Sequence, residues 1–365
     1  MTLAQRLPKL NWDLLAPYKA KASKHPGGII DLSVGTPVDP VPSVVRDALS
    51  AAADSPGYPA THGSERLRMA AVGWLRRSHG VTVNPDAVLP VIGTKEFIAW
   101  LPTLLGCGPD DTIVCPELAY PTYAAGALLA GARSVATDGL LALGPEQVKL
   151  AWVNSPGNPT GRILPCDHLA ARVRWARERG TVLASDECYI DLCYGEPGLS
   201  VLHPDACDGS HQNLLAVYSL SKRSNLAGYR AGLVTGDPAL IAELLEIHRH
   251  AGMMVPTPIQ AAMTAALDDD THAAVQRARY ATRRDLLWGA LESAGWRIDH
   301  SEAGLYLWAT HPAHDAWASV AVLAEAGILV APGTFYGRTG NHHIRMALTA
   351  TDERIRSATT RLSHL

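Results

Sequence analysis

The sequence predicts an α/β protein with a mostly parallel, doubly wound sheet in a large domain and a smaller α+β domain. Between residues 88 and 235, short apolar runs typical of buried strands alternate with stretches typical of helices. Beyond residue 269, strands and helices mix without that regular alternation. The 365 residues also exceed one hydrophobic core of usual size, which favours two domains.

The large domain is predicted over residues 43–268. Its apolar runs predict strands at 88–92, 112–115, 133–136, 149–153, 181–185, 214–218 and 231–234. Caps and periodicity predict helices at 43–53, 65–79, 94–105, 124–130, 167–179, 238–250 and 258–268.

The small C-terminal domain is predicted over residues 269–365. It begins with a long helix at 271–294, after the acidic run 268–270, which we expect to be solvated. Further helices are expected at 314–326 and 351–362, and strands at 305–309 and 343–348. Residues 1–42 are rich in Pro and Gly, are predicted to be largely irregular with one short strand near Asp31, and are assigned to the small domain or to a cover over it.

Composition excludes several classes of function. The formal net charge is −3 and no basic block is present, which argues against a nucleic-acid partner. No apolar run reaches the roughly 18 residues needed to span a membrane. The six cysteines form no C-x-x-C pair and the histidines show no ligand spacing, so we expect no metal site and a reducing, cytoplasmic location.

The strongest chemical signal follows the predicted strand at 214–218. Ser219, Ser221 and Lys222 stand at its end, and Arg230 precedes the next strand. Serine hydroxyls and an arginine fork bind phosphate, and a lysine forms a Schiff base with an aldehyde. A lone lysine after a strand is usually a solvated loop residue, but this combination favours pyridoxal phosphate, whose chemistry belongs at the strand ends of an α/β sheet.

Three other strand ends carry polar groups. Gly93-Thr94 opens a helix, which presents free N–H groups suited to an anion. Asn158 lies in a turn with two X-Pro bonds, and Asp186 ends a buried strand, where an unpaired carboxylate is costly. Taken singly, an ordinary helix cap is the better explanation for both Thr94 and Asp186.

In their chain order, these motifs resemble the class I/II aminotransferases of fold type I over essentially the whole chain. The resemblance implies pyridoxal 5′-phosphate as cofactor and a Schiff base on Lys222. It implies that Asp186 pairs with the pyridine nitrogen and that Tyr189 and Asn158 bind the ring hydroxyl. Arg345, in His-Ile-Arg-Met-Ala, matches the arginine that clamps the substrate α-carboxylate.

Further positions follow from the same resemblance. Tyr120 takes the place of the aromatic residue that stacks on the cofactor ring, and Gly35 that of a loop glycine near the substrate carboxylate. Tyr58 matches a tyrosine that reaches the phosphate of a second subunit, which implies a homodimer with shared sites. The implied phosphate-binding residues are Gly93, Thr94, Lys95, Ser219, Ser221 and Arg230. No weight is placed on the side chain of Lys95, because this segment varies among relatives.

Four segments, at 11–19, 31–40, 57–61 and 116–123, are similar to actinobacterial N-succinyldiaminopimelate aminotransferases. This resemblance implies glutamate as amino donor and N-succinyl-2-amino-6-oxopimelate as acceptor, in lysine biosynthesis. The sequence leaves three alternatives open. They are another aminotransferase acting on aspartate, aromatic or alanine-like substrates, a carbon–sulfur lyase of the same fold, and a regulatory or binding protein that keeps the fold. A DNA-binding regulator is disfavoured by the charge and the short N-terminal segment.

Overall fold

A computed structural model describes residues 2–8, 11–144 and 147–365. Its α-helices are α1 (Leu3–Arg6), α2 (Ala16–Ala22), α3 (Ser43–Ala51), α4 (Glu65–His79), α5 (Thr94–Leu104), α6 (Thr122–Ala130), α7 (Cys166–Arg179), α8 (Pro204–Cys207), α9 (Leu220–Arg223), α10 (Pro238–Ala251), α11 (Thr257–Asp268), α12 (Thr271–Ser293), α13 (Ala316–Glu325) and α14 (Asp352–Leu362). Its strands are β1 (Ile30–Asp31), β2 (Val88–Ile92), β3 (Thr112–Cys115), β4 (Arg133–Ala136), β5 (Val148–Asn154), β6 (Val182–Asp186), β7 (Leu214–Ser219), β8 (Ala231–Gly236), β9 (Arg297–Ile298), β10 (Tyr306–Thr310), β11 (Ile328–Leu329), β12 (Ala331–Pro332) and β13 (His343–Ala347).

A seven-stranded sheet forms the centre of the molecule, with the order β2-β8-β7-β6-β5-β3-β4. All its strands are parallel except β8, which runs antiparallel to both neighbours. This arrangement confirms the predicted fold class. The register pairs Asn154 with Asp186 and Asp186 with Val217, so the carboxyl ends of β5, β6 and β7 lie side by side. Polar residues that follow these strands therefore meet at one edge of the sheet.

Helices cover both faces of this sheet. On one face, α3, α4, α7 and α11 enclose a core that includes Trp74 and Trp175. On the other face, α5, α6 and α10 pack around Phe97, Tyr123 and Trp152. Because both faces are covered there, β2, β6 and β8 are buried along almost their whole length and show no alternation of buried and exposed residues. In the sequence, such strands can therefore be recognised only by their length and their apolar residues.

A second, antiparallel sheet has the order β12-β13-β10-β9 and packs on α12, α13 and α14. In its register Trp308 faces Arg345 across β10 and β13. The N-terminal segment joins this region: Ile30 of β1 pairs with Ile328 of β11, and Tyr18 stacks on Trp317 at 5.5 Å between ring centres. The proposed domain boundaries near 42 and 268 remain a prediction.

Several local expectations differ from the structure. Residues 1–42 contain α1 and α2 as well as the short strand β1. The run at 268–270 is not simply solvated, because the carboxylate of Asp270 pairs with Arg77 Nε at 3.1 Å and that of Asp269 with His272 Nδ1 at 2.9 Å. His248 of α10 is buried, and this burial lowers its pKa. Among the described residues, none of the helices is long and apolar enough to cross a membrane.

Candidate active site

Lys222 lies at the carboxyl end of the central sheet, in the single turn α9 that follows β7. The Ser219 hydroxyl caps this turn by accepting a hydrogen bond from the Ser221 amide at 3.2 Å. Lys222 is half-buried, and its Nζ donates to the carbonyl oxygen of Gly35 at 2.6 Å. The loop that follows β1 therefore reaches the reactive amine directly.

An anion cradle lies beside this lysine, at the start of α5. Gly93 has φ +77°, a left-handed conformation that favours glycine, and a Cβ there would clash with the guanidinium of Arg230. Arg230 is exposed and also donates to the Ala227 carbonyl at 2.9 Å. The first N–H groups of α5, from Thr94 and Lys95, have no partner within the helix. Guanidinium and helix terminus together suit a phosphate.

The carboxylate of Asp186 is buried at the end of β6. It accepts hydrogen bonds from the Tyr123 hydroxyl at 2.7 Å and from the Cys188 amide at 3.1 Å. Burial raises the pKa of this carboxyl, and the hydrogen bonds only partly offset that rise. Within the described part of the chain, no cationic side chain pairs with it. A buried carboxylate without a cation is suited to receive one from a ligand, such as a protonated pyridine nitrogen.

Asn158 and Arg345 meet across the two sheets. Both X-Pro bonds of the Asn158 turn are cis, and the amide of Asn158 donates to Asn154 Oδ1 at 2.8 Å. Arg345 is buried and donates from Nη1 to Asn158 Oδ1 at 3.0 Å and from Nη2 to the Ser33 carbonyl at 2.8 Å. Its Nε has no hydrogen-bond partner among the described residues. A buried guanidinium with a free N–H fits a carboxylate ligand.

Tyrosine rings surround this arginine. The guanidinium carbon of Arg345 lies 3.8 Å from the ring centre of Tyr306 and 4.7 Å from that of Tyr336. The Tyr189 hydroxyl is 3.5 Å from the Tyr306 hydroxyl. Tyr120 lies in the same region, and burial raises the pKa of its hydroxyl. Stacking on two rings holds the guanidinium plane in place.

The structure thus brings most of the expected residues to one cleft between the two sheets, but it leaves Tyr58 apart. Tyr58 lies in the loop between α3 and α4, and 98% of its surface is exposed. The Lys95 side chain is also exposed. Sequence reasoning missed the residues that support the site from other elements, namely Ser33, Tyr123, Asn154, Tyr306 and Tyr336. In the sequence, Tyr306 could have been suggested only by its being an aromatic residue near the start of the strand predicted at 305–309.

A sequence model of the family described as aminotransferase class I and II matches residues 27–362. The chain belongs to this family. Its fold is that of the fold type I aminotransferases, whose members act on amino acids and keto acids and use pyridoxal 5′-phosphate. The buried carboxylate of Asp186, the cradle at Gly93 and Arg230, and the amine of Lys222 fit the pyridine, phosphate and aldehyde groups of this cofactor.

Individual relatives cover nearly the whole chain. The chain is 56% identical over 359 residues to the 4-dedimethylamino-4-oxo-anhydrotetracycline transaminase OxyQ of Streptomyces rimosus, covering 98% of this chain and 100% of that protein. It is 59% identical to a Mycobacterium tuberculosis protein described as "Probable aminotransferase Rv1178", covering 98% and 85%. A solved structure described as a "probable N-succinyldiaminopimelate aminotransferase" of Thermus thermophilus has a TM-score of 0.86 at 27% identity, covering 97% and 100%.

Proposed function

We propose that this aminotransferase transfers an amino group between glutamate and N-succinyl-2-amino-6-oxopimelate, as in lysine biosynthesis. The observation that carries this substrate is the similarity of four segments, at 11–19, 31–40, 57–61 and 116–123, to succinyldiaminopimelate aminotransferases. The likeness to the Thermus structure supports it. Both partners in this reaction carry the α-carboxylate that a buried guanidinium such as that of Arg345 is suited to bind.

The proposed reaction assigns a task to each group in the cleft. When bound, pyridoxal phosphate supplies an aldehyde for the amino group and a ring that withdraws electrons from the substrate α-carbon. Asp186 would pair with the protonated pyridine nitrogen, and Tyr189 and Asn158 would hydrogen-bond the ring hydroxyl. Lys222 Nζ would take the proton from the substrate α-carbon as a base and then, as an acid, deliver it to the cofactor carbon that carries the aldehyde.

The substrate is oriented from the opposite side of the cleft. The fork of Arg345 holds the α-carboxylate, so that the bond from the α-carbon to hydrogen points at Lys222 Nζ. In the structure the Gly35 carbonyl accepts a hydrogen bond from that amine at 2.6 Å. Gly93, Thr94, Lys95, Ser219, Ser221 and Arg230 would hold the phosphate, and Tyr120 would cover the ring. The two half-reactions would give ping-pong kinetics.

A homodimer in the cytoplasm is part of the proposal. Tyr58 is almost fully exposed, as expected of a side chain that reaches the phosphate site of a second copy. All six cysteines are free thiols, which suits a reducing compartment. Sedimentation equilibrium should give twice the monomer mass. Dilution to monomer should weaken cofactor binding, and a monomer with unchanged cofactor affinity would refute the shared site.

A second candidate substrate is favoured by one comparison. OxyQ, at 56% identity, is named for a 4-oxo-anhydrotetracycline, a polycyclic ketone. Trp12 is partly exposed and packs edge-on against Phe335 at 5.2 Å, next to Tyr336 of the cleft. An aromatic surface of this kind would suit a flat polycyclic acceptor. Glutamate would remain the donor in this case.

A turnover panel separates these candidates. Glutamate is supplied as donor, and the acceptors compared are N-succinyl-2-amino-6-oxopimelate, the 4-oxo-anhydrotetracycline, oxaloacetate, phenylpyruvate and pyruvate. We expect kcat/KM for the succinylated acceptor to exceed the others by at least about tenfold. A preference for the tetracycline ketone, or for a simple keto acid, would show that the proposed substrate is wrong, although the protein would still be a transaminase. Release of pyruvate and ammonia from a cysteine conjugate would instead identify a lyase.

A further inference from the structure

Tyr306, the first residue of β10, lies between the reactive groups of the cleft although no sequence motif marked it. It is 5% exposed, and the guanidinium carbon of Arg345 lies 3.8 Å from its ring centre. At that distance the ring and the guanidinium are in full contact. The orientation of Arg345 therefore depends on the position of this ring as well as on its own hydrogen bonds.

The hydroxyl of Tyr306 lies against Gly35. A Cβ placed on Gly35 would overlap this hydroxyl, so only glycine leaves space for it. The carbonyl of the same glycine accepts the hydrogen bond from Lys222 Nζ at 2.6 Å. Gly35, Lys222 and the Tyr306 hydroxyl thus converge on one point. If the Lys222 amine breaks its hydrogen bond to the Gly35 carbonyl, the Tyr306 hydroxyl is a neighbouring oxygen that can accept one instead.

Charge distinguishes Tyr306 from the other tyrosines of the cleft. The titratable groups that face its hydroxyl are Arg345 from β13, Lys222 from α9, Tyr189 after β6, Tyr120 before α6 and Tyr336 after β12. Burial raises the pKa of the Tyr306 hydroxyl, but the positive charges of Arg345 and Lys222 outweigh burial and lower the pKa overall.

The other hydroxyls behave in the opposite way. Burial raises the pKa of Tyr189, Tyr120 and Tyr336. The two neighbouring cations thus lower the pKa of the Tyr306 hydroxyl, whereas burial raises the pKa of the other three. The oxygen of a tyrosine hydroxyl can accept a hydrogen bond from an ammonium group.

We propose that Tyr306 is a positioning residue of the transamination site, which acts on Arg345 through its ring and on Lys222 through its hydroxyl. The inference rests on the proposed transaminase function. When Lys222 Nζ takes the proton from the substrate α-carbon it becomes an ammonium, and the Tyr306 oxygen accepts a hydrogen bond from it. No bond to Tyr306 forms or breaks, and Nζ would pass the proton on to the cofactor carbon that carries the aldehyde. The hydroxyl thereby stabilises the ammonium group that forms during the reaction.

Two substitutions separate the hydroxyl from the ring. Tyr306→Phe removes only the hydroxyl, so kcat should fall about tenfold and the acid limb of the kcat–pH profile should move down by about one unit. KM for glutamate should change less than about twofold. Tyr306→Leu also removes the ring face from Arg345, so KM should additionally rise about tenfold. Tyr18→Phe removes a tyrosine hydroxyl outside the cleft and should leave kcat, KM and the pH profile unchanged.

A titration of the cofactor-free protein tests the same contact without turnover. The tyrosinate absorbance of the wild type should show a hydroxyl that ionises before the others, and Tyr306→Phe should abolish that step. A wild-type pH profile in Tyr306→Phe, or retention of the early step, would overturn the inference. Lower melting temperatures with an unmoved pH profile would show a purely structural role and would also overturn it. If the wild type transaminates no acceptor, the proposed function fails, whereas the titration still decides on Tyr306.

Discussion

Lys222, Asp186 and Asn154 stand at the ends of adjacent strands of the central sheet, whereas Gly35 and Arg345 come from a loop and from the second sheet. The first group is fixed by the ladder, in which Asn154 pairs directly with Asp186. We call it the cofactor side, because its groups fit the cofactor. The second group, with Tyr306, is the substrate side, because its groups surround the guanidinium of Arg345.

The substrate side depends on polar contacts between distant parts of the chain. Arg283 of α12 is buried and donates to both carboxylate oxygens of Asp39, at 2.8 and 2.7 Å, and to Asp352 of α14 at 2.7 Å. Gln276 adds a hydrogen bond to Asp39 at 2.8 Å. These contacts hold the loop that carries Gly35. We therefore expect changes on the cofactor side to abolish chemistry, and changes on the substrate side to alter binding and stability as well.

The largest effect is expected from Lys222→Ala, on the cofactor side. Without Nζ no group in the cleft can take the proton from the substrate α-carbon, so kcat should fall by about 10⁴-fold or more. The cofactor should still bind, since the phosphate cradle is unchanged, and equilibrium dialysis would measure this. The matched control is Lys24→Ala at an exposed position. A Lys222 variant with more than a few per cent of wild-type kcat would contradict the assignment.

Arg345→Lys tests whether the substrate side needs the guanidinium of Arg345 or only its positive charge. Lysine keeps the charge but loses the fork that contacts Asn158 and Ser33, so kcat/KM for glutamate should fall at least about a hundredfold. Most of the loss should come from KM, in contrast to Lys222→Ala. Arg338→Lys at an exposed position serves as the control. A near-normal kcat/KM would show that Arg345 does not bind the carboxylate.

Gly35→Ala tests the close contact with Tyr306. The added Cβ would overlap the Tyr306 hydroxyl, so the loop or the ring must move, and kcat/KM should fall about tenfold or more while the melting temperature drops. Gly195→Ala is the matched control, because a Cβ there meets no atom within 4 Å. If both variants had the same kcat/KM, the contact between Gly35 and Tyr306 would not contribute to activity.

The smallest effect is expected from Asp39→Asn, far from the reacting atoms. Burial raises the pKa of the Asp39 carboxyl, but hydrogen bonds and the charge of Arg283 outweigh burial and lower it overall. Because the folded pKa is lowered, this stabilisation is present at neutral pH and is lost as pH falls through the acid range. The variant should lose about 1–2 kcal/mol at pH 7, measured by urea unfolding.

The pH dependence provides the check on Asp39→Asn. The difference in unfolding free energy from the wild type should shrink below about pH 4, where the wild-type carboxyl also takes up a proton. Asp47→Asn, at an exposed position on α3, should change stability little at any pH. A difference that stays constant down to acid pH would show that the charge of Asp39 is not what stabilises the loop.

The same contrast explains what could be predicted from the sequence. Every strand of the central sheet was predicted within about two residues, because buried parallel strands are continuous apolar runs bounded by turns. Lys222, Asp186 and Asn158 follow such runs directly, so local sequence was enough to place them at one sheet edge.

The substrate side was less accessible to this reasoning. Strands β9, β11 and β12 have two residues each, too short to show any alternation. The meeting of Gly35 with Tyr306, and of Asp39 with Arg283, depends on pairing between remote segments that no local pattern records. The same holds for Tyr336, which follows an ordinary turn and meets Arg345 only in the folded chain.

The role of Lys222 is tested most directly by an absorbance titration of the purified, pyridoxal phosphate-loaded protein with glutamate. We expect a long-wavelength band that depends on Lys222, disappears when glutamate is added and returns with 2-oxoglutarate. Lys222→Ala should lack both the band and its recovery. If the wild type shows no such band after pyridoxal phosphate is added, or if the band is unchanged in Lys222→Ala, Lys222 is not the cofactor lysine and the proposed chemistry is wrong.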